Sequence, residues 1–259
     1  YSLRAPTVRS FSNTSSRLRI VCISDTHGSH QNLVGKIPDG DILIHAGDFT
    51  NKLRKSDMEK SLRSFDEFLG NLPHKHKIVI AGNHEIAFND FTKSEIQSYL
   101  RNCTYLQDSG ITVDGLKIYG SPWTNSVGMG FSCRGKHLYK HWARIPEDVD
   151  ILVTHIPPEG VLDLAFDFEA DRRGPCPDCR RCHRKYAHWG SESLAKRVRA
   201  VRPRVHVFGH VHDSHGYLKR NGTLYVNAAQ DNTEQPIFFD WEIEPFRFSE
   251  LARASTTRP

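Results

Sequence analysis

Five short runs of apolar residues along the chain each end near a polar side chain that is able to bind a metal ion. Runs of this length that are rich in Val and Ile predict strands buried on both faces. Because ligands of open α/β sheets collect beyond the carboxyl ends of the strands, we expect the polar ends to share one crevice. The runs are residues 20–23, 42–44, 78–81, 151–154 and 205–208, and they lead to Asp25 and His27, Asp48, Asn83, His155, and His210 and His212.

The stretch between the second and third runs predicts a helix. Residues 56–59 read Ser-Asp-Met-Glu, which is the pattern of a capping box at a helix start. Apolar residues then recur at helical spacing until Gly70 and Pro73 end the pattern. This helix is expected to cover one face of the sheet and to join two parallel strands in a βαβ unit. The apolar stripe consists of Met58, Leu62, Phe65 and Leu69.

The remaining pattern predicts two more helices, a hairpin and two edge strands. Ser94 and Ser191 each stand where a residue would cap a helix, and apolar residues follow both at helical spacing. Asp114-Gly115 lies between two β-branched runs, which predicts a hairpin turn. Residues 224–226 and 237–239 read as edge strands near the end of the chain.

The composition is that of an ordinary globular protein. Of the 259 residues, 38% are hydrophobic and 25% are charged. No apolar run approaches the roughly 18 to 20 residues that a membrane-spanning helix requires, so a role in the membrane is not expected. The net charge of +5 comes from scattered basic residues without one dominant block. It permits nucleic acid as a partner but does not indicate it.

The termini and the cysteines bear on the compartment. Residues 1–17 are rich in Arg, Ser and Thr and contain no acidic residue, which fits either a disordered basic tail or the remnant of a leader. The six Cys lack a disulfide-frame spacing, which indicates a reducing compartment. We therefore expect a cytoplasmic protein, with a mitochondrial one as the alternative. Residues 18–245 are expected to form one domain, followed by a tail at 246–259.

Asp and His ligands at the strand ends indicate a metal site. Singly these residues are weak evidence, since a His after a buried strand is often structural, as we expect of His45, His137, His141 and His206. Together they are hard to explain as core, because a buried unpaired carboxylate is costly. A carboxylate also bridges two cations, which a neutral imidazole does not, so two Asp among several His favour a dinuclear site. Such a site suits phosphoester hydrolysis best.

The motifs resemble a known family in order and type. Over residues 18 to about 240, the motifs of the chain resemble the five-motif signature of the calcineurin-like metallophosphoesterases. The resemblance implies a four-layer αββα sandwich of two mixed β-sheets flanked by helices. The motifs are Asp25-Thr26-His27, Gly47-Asp48, Gly82-Asn83-His84-Glu85, His155 and Gly209-His210-Val211-His212.

A narrower resemblance concerns the substrate. Within the family, the chain looks most like the metallophosphoesterase-domain-containing branch. The stretches that carry this likeness are residues 44–50, 119–123 and 155–158, together with Glu85, where many relatives carry Asp. The activity described for that branch is cyclic-nucleotide phosphodiesterase. The resemblance therefore implies a small-molecule phosphoester substrate, in particular a cyclic nucleotide. A phosphomonoesterase or protein phosphatase, and a catalytically weak nucleotide-binding or scaffold protein, remain as alternatives.

The resemblance also implies roles for individual residues. Asp25, His27 and His212 would hold a first metal, and Asp48 would bridge to a second. Asn83, His155 and His210 would hold that second metal, and a hydroxide between the two would attack phosphorus. His84 would contact the phosphate, as Asn83 also would, and would protonate or stabilise the leaving oxygen. The two divalent cations would be Mn, Fe, Zn or Mg.

An insert at about residues 167–187 departs from the family pattern. It contains Cys176-Pro-Asp-Cys179-Arg-Arg-Cys182-His183. Three interpretations remain open, namely an exposed loop, a zinc site or reversible disulfide, and c-type haem attachment. Just after the insert, His188 occupies a position where relatives have a His-x-Gly sequence, so a contact with the substrate is expected there. Trp123 and Trp142 are expected to be packed aromatic residues.

Overall fold

The first of two large sheets carries the N-terminal half of the predicted site. A computed structural model describes residues 17–170, 183–230 and 235–242. The sheet has the strand order β13-β1-β2-β3-β4, in which β13 is antiparallel to β1 and the other neighbours are parallel. Its strands are β1 (Arg17–Ile23), β2 (Ile42–His45), β3 (His76–Val79), β4 (Thr104–Tyr105) and β13 (Ile237–Glu242).

The second large sheet carries the C-terminal half of the site. Its strand order is β11-β12-β10-β7-β6-β5, with antiparallel pairs at both edges and parallel pairs between them. Its strands are β5 (Ser109–Val113), β6 (Leu116–Ser121), β7 (Ile151–Thr154), β10 (Val205–Phe208), β11 (Gly216–Arg220) and β12 (Thr223–Asn227). A separate small hairpin pairs β8 (Leu164–Phe166) with β9 (Tyr186–His188).

Helices cover the outer face of each sheet. Within the described residues, the α-helices are α1 (Lys55–Gly70), α2 (Lys93–Tyr99), α3 (Gly135–Trp142) and α4 (Glu192–Val201). Apolar residues of α1 and α2 pack with the outer residues of the first sheet, and those of α3 and α4 pack with the outer residues of the second. The predicted αββα sandwich of two mixed sheets is therefore confirmed.

The core lies between the two sheets and follows the two-residue period of the strands. In β1, Leu18, Ile20 and Cys22 belong to the cluster between the sheets, whereas Val21 and Ile23 belong to the cluster under α1. Both faces of the strand are thus covered, as the unbroken apolar run predicted. The parallel pairing of β2 with β3 around α1 confirms the predicted βαβ unit.

Two of the three predicted helix starts are wrong. The hydrogen bond from Met58 N to Arg54 O places the start of α1 before Ser56, and its N-cap, Arg54, makes no side-chain capping bond. The cap of α2 is Thr92 instead of Ser94. Thr92 accepts a hydrogen bond from the backbone of Glu95, whose side chain accepts one from the backbone of Thr92. The predicted cap of α4 by Ser191 is confirmed.

The end of the second sheet also differs from the prediction. Residues 224–226 were predicted as an edge strand, but β12 lies inside the sheet, between β10 and β11. The edge is β11, a strand with the charged residues Lys219 and Arg220 that the apolar pattern did not predict. The predicted Asp114-Gly115 hairpin between β5 and β6 is confirmed, as is the edge position of β13.

Several predictions fall wholly or mostly outside the described residues. They concern the tail at 1–17, of which only Arg17 is described, the tail at 246–259, and Cys176, Cys179 and Cys182 of the insert. Within the described ranges, no helix combines the length and the apolar character needed to cross a bilayer.

Candidate metal centre

Backbone hydrogen bonds bring the strand ends of both sheets to one place. Within the first sheet, Asp25 N donates to Gly47 O at 2.9 Å and His27 N donates to Asp48 O at 2.9 Å. Between the sheets, His210 N donates to the carboxylate of Asp25 at 2.9 Å. A parallel bridge between Ser24 and Ala229 lies beside this contact. The predicted crevice is therefore where the carboxyl ends of the two sheets meet.

Four of the predicted ligands have an unusual backbone conformation. Asp25, His27, Asp48 and His210 have φ values of 57°, 45°, 55° and 70°. This left-handed region is uncommon for residues other than glycine. Such conformations cost free energy and persist where the surrounding structure fixes them, typically at functional sites. Here they turn the ligand side chains sharply away from the strands that precede them.

Glycines beside the ligands are required by close approach. A Cβ on Gly209 would lie 2.1 Å from a carboxylate oxygen of Asp25, and a Cβ on Gly82 would lie 2.3 Å from one of Asp48. No side chain fits at either position without displacing a carboxylate. The Gly in the motifs Gly82-Asn83 and Gly209-His210 therefore has a steric reason at this site.

The potential ligands form three adjacent groups that share members. In each group the ligand atoms lie within 4.8 Å of one another. The middle group shares His27 with the first and Asp48 with the third, so Asp48 lies between the two ends of the site. The groups are Asp25, His27 and His212; His27, Asp48 and His84; and Asp48, His155 and His210.

The third group gains an oxygen ligand from Asn83. The Nε2 atom of His155 lies 2.9 Å from Asn83 Oδ1 and 3.2 Å from Asp48 Oδ2. On the other side of the ring, Nδ1 lies 2.9 Å from Ala46 O, to which it donates. This bond to a backbone carbonyl orients the ring so that Nε2 faces the oxygens of Asn83 and Asp48.

The surroundings of one carboxylate oxygen, Asp25 Oδ1, indicate whether the residues present could hold a cation. Asp25 Oδ1 is buried and makes no hydrogen bond. It faces the Nε2 atoms of His212 and His27 at 3.5 and 4.0 Å. Three electron-pair donors that converge without hydrogen-bond geometry are what a divalent cation requires. The donor set therefore fits the metals that the family implies.

The ionisation of the carboxylates also suits cation binding. Burial favours their neutral form, but the close approach and positive charge of His212, together with the charge of His155, hold the pKa of Asp25 well below its usual range. The pKa of Asp48 is also lowered, against the effect of burial, by the charge and hydrogen bond of His155. Both groups are therefore anions at neutral pH. Burial lowers the pKa of His210 to about 4, which keeps that imidazole in its neutral, metal-binding form.

His84 is held by a residue that the sequence did not reveal. Its Nδ1 lies 2.9 Å from Asn51 Oδ1, and its backbone N–H donates to Asp48 Oδ1 at 2.7 Å. The ring meets that of His27 edge to face, with 4.5 Å between the centroids. Asn51 follows Asp48 by three positions in an exposed loop, and no motif identified it. It orients the imidazole at the open side of the middle group.

Glu85 fastens two ligand loops together. Its buried carboxylate accepts hydrogen bonds from Asp48 N at 3.0 Å, from Gly82 N at 2.6 Å, and from Thr50 N and Oγ1 at 2.8 and 3.0 Å. Burial and the charge of Asp48 raise the pKa of Glu85 to about 8. The sequence placed Glu85 in a motif but gave it no role, because its four partners lie on two separate loops.

Glu85→Gln is expected to weaken both folding and metal binding. A glutamine offers one acceptor oxygen and turns an NH2 donor toward N–H groups, so at least one buried donor loses its partner. That loss costs about 1 to 3 kcal/mol. Urea unfolding measures the free energy, and calorimetric titration with Mn²⁺ measures the affinity. Glu67→Gln, on the exposed face of α1, is the control, and equal stability of both variants would contradict this role.

His188 is not a member of any of the ligand groups, and its neighbour Trp189 lies beside one of their members. His188 Nδ1 is 2.8 Å from the buried Asp163 carboxylate. The ring of Trp189, in contrast, lies 6.0 Å from the ring of His210, centroid to centroid. The contact of His188 with substrate stays a prediction. Trp189 was missed because a single exposed Trp carries no pattern.

The residues expected to be structural have mixed outcomes. His45 and His206 are fully buried and bond to Thr26 and Thr154. His141 is partly buried against Asp108 and stacks on Trp123, with ring centroids 3.6 Å apart. His137, however, is exposed on α3, so it is not a buried structural histidine, although it is not in a ligand group either. The packed position predicted for Trp142 is confirmed, since 1% of it is exposed.

Comparison with a solved structure supports the fold. That structure superposes with a TM-score of 0.61 at 15% identity, and the alignment covers 87% of this chain and 95% of the other. Identity this low concerns the fold alone.

Comparisons of sequence identify the family. The chain is 42% identical over 236 residues to human metallophosphoesterase domain-containing protein 1, covering 82% of this chain but 65% of that relative. It is 39% identical over 229 residues to a UPF0046 protein of Caenorhabditis elegans, covering 83% of this chain and 70% of that protein. A family profile described as calcineurin-like phosphoesterase matches residues 18–214. The chain thus belongs to the calcineurin-like phosphoesterase family.

Proposed function

We propose that the protein hydrolyses phosphodiester bonds with two divalent metal ions. The observation that carries the proposal is the sharing of Asp48 and His27 among three adjacent ligand groups. A carboxylate between two donor sets holds two cations close together, and two close cations suit in-line displacement at phosphorus. Membership of a phosphoesterase family supports the same reaction class.

Each ligand has a proposed place. Asp25, His27 and His212 would hold the first cation, and Asp48 would be shared by both. Asn83, His155 and His210 would hold the second. When bound, the metals supply an activated water and neutralise charge on the phosphate.

His84 is proposed as the acid of the reaction. Its Nδ1 atom faces Asn51, which orients the ring and leaves Nε2 for the substrate. A proton on Nε2 would pass to the leaving oxygen, and Asn83 would contact the phosphate beside it. Partial exposure of His84 at the edge of the buried Asp48 suits a group that must meet both the substrate and solvent.

Cyclic nucleotides are the proposed substrates. Support comes from the resemblance of the motifs to the metallophosphoesterase-domain-containing branch and from relatives of that name. The ligand set itself does not distinguish monoesters from diesters, because two cations neutralise either phosphate. A phosphomonoesterase or protein phosphatase is therefore the second candidate, and an inactive nucleotide-binding or scaffold protein is the third. The cytoplasm is the proposed compartment, with the mitochondrion as the alternative.

A substrate panel is expected to separate these candidates. Purified full-length protein with added Mn²⁺ should cleave cyclic nucleotides and an aryl phosphodiester faster than an aryl phosphomonoester. Chelation should remove the activity, and Mn²⁺ should restore it. Faster cleavage of the monoester favours the phosphatase. No cleavage of any ester under these conditions favours the binding protein.

A further inference from the structure

We infer that Trp189 is a stacking platform for the base of a nucleotide substrate, an inference that rests on the proposed function. Trp189 is the only one of the four tryptophans that packing does not account for. Trp142 and Trp241 are 1% and 6% exposed, and Trp123 is partly buried with its Nε1 donating to Asp108. Trp189 is 42% exposed, and its ring lies 6.0 Å from that of His210.

The residues on either side of Trp189 are both held by one buried carboxylate. Asp163 accepts from His188 Nδ1 at 2.8 Å and from Gly190 N at 3.3 Å, and its own carbonyl accepts from Trp189 N at 2.9 Å. The same carboxylate accepts from Gly160 N at 2.9 Å. The side chains of these neighbours therefore have different partners, since that of His188 meets Asp163 while the ring of Trp189 lies beside that of His210.

Ser191, two residues after Trp189, joins this segment to the metal centre. Ser191 N donates to Pro157 O at 3.0 Å, and Glu159 N donates to Ser191 O at 3.2 Å. Pro157 follows His155 by two positions, so the strand end that supplies a proposed ligand also positions the Trp189 segment. Gly190 permits the contact, because a Cβ there would lie 2.7 Å from Glu159 backbone atoms. Trp189 is therefore presented on a fixed backbone.

A base is the ligand that this arrangement suits. An exposed indole with an ordered backbone offers a flat apolar face at little cost in conformational entropy. The phosphate of a nucleotide bound at His210 is joined to its base through one sugar, so the base falls beside the metal centre. Stacking on an aromatic side chain tolerates any base, because every base has a π-face. The platform would therefore favour nucleotides over other phosphoesters without selecting the base.

The test compares two ligands that share a phosphate and differ in the base. AMP and ribose 5-phosphate are titrated into full-length protein with Mn²⁺ by calorimetry. Wild type should bind AMP more tightly. Trp189→Ala should lower the affinity for AMP by about 5-fold to 100-fold and leave the affinity for ribose 5-phosphate unchanged. Trp189→Phe should retain most of the affinity for AMP. Phe238→Ala, which removes an exposed aromatic side chain from β13, is the matched control, and thermal unfolding confirms that each variant is folded.

Four results would overturn the inference. If Trp189→Ala weakens the binding of both ligands equally, the residue supports the site as a whole and does not stack on the base. Unchanged AMP affinity in that variant means that no stacking occurs. If the wild-type protein cleaves phosphodiesters but binds the two ligands equally, the stacking role of Trp189 is rejected and the proposed function is retained. If the wild-type protein binds neither ligand and cleaves no ester, both the stacking role and the proposed function are rejected.

Discussion

Asp48→Asn is expected to lower kcat/KM for a phosphodiester by about 10³-fold or more, because it removes several kcal/mol of electrostatic stabilisation. Asp48 is buried, belongs to two of the three ligand groups, and accepts from His84 N at 2.7 Å. Asparagine keeps the shape and one acceptor oxygen but has no charge, and its amide nitrogen does not bind a cation. The variant should therefore fold while it loses the bridge between the metals.

The measurement combines turnover with metal content. Wild type is expected to retain two Mn²⁺ per chain after gel filtration, and Asp48→Asn fewer. Asp57→Asn, in the exposed first turn of α1, is the control for loss of an acidic residue and should match wild type in both. Undiminished turnover in Asp48→Asn would remove the bridging role.

His84→Ala is expected to lower kcat by about 10² to 10⁴, the usual contribution of a general acid, with little change in metal content. The loss should depend on the leaving group. A nucleoside hydroxyl requires a proton as it departs, whereas a nitrophenolate departs readily without one. The variant should therefore lose much more activity on a cyclic nucleotide than on a nitrophenyl diester.

This dependence separates an acid from a residue that only shapes the site. An equal loss on both substrates would indicate that His84 positions the phosphate or binds a metal, as its place in the middle ligand group permits. His137→Ala, on the exposed face of α3, is the control. Asn51→Ala tests the orientation of the ring and should give a smaller loss with the same dependence on the leaving group.

The layers of the fold and the location of the site follow from local patterns in the sequence. Apolar runs such as residues 20–23 and 42–44 predicted strands covered on both faces, and the strands are so covered. Burial of a strand is a local property of its residues, so it can be read from the pattern. The polar residues after these runs predicted the ligands for a similar reason, because a buried carboxylate is costly without a cation or hydrogen bonds.

The residues that complete the site were found from contacts that form when the chain is folded. Glu85 joins the loops of Asp48 and Gly82, and Asn51 orients His84, through hydrogen bonds between segments that are distant in the sequence or carry no motif. The inner position of β12 was likewise set by contacts outside its own segment, namely its pairing with β10 and β11. The same reason explains Trp189. The side chain of His188 meets the carboxylate of Asp163, 25 residues away in the chain, and the ring of Trp189 lies beside that of His210.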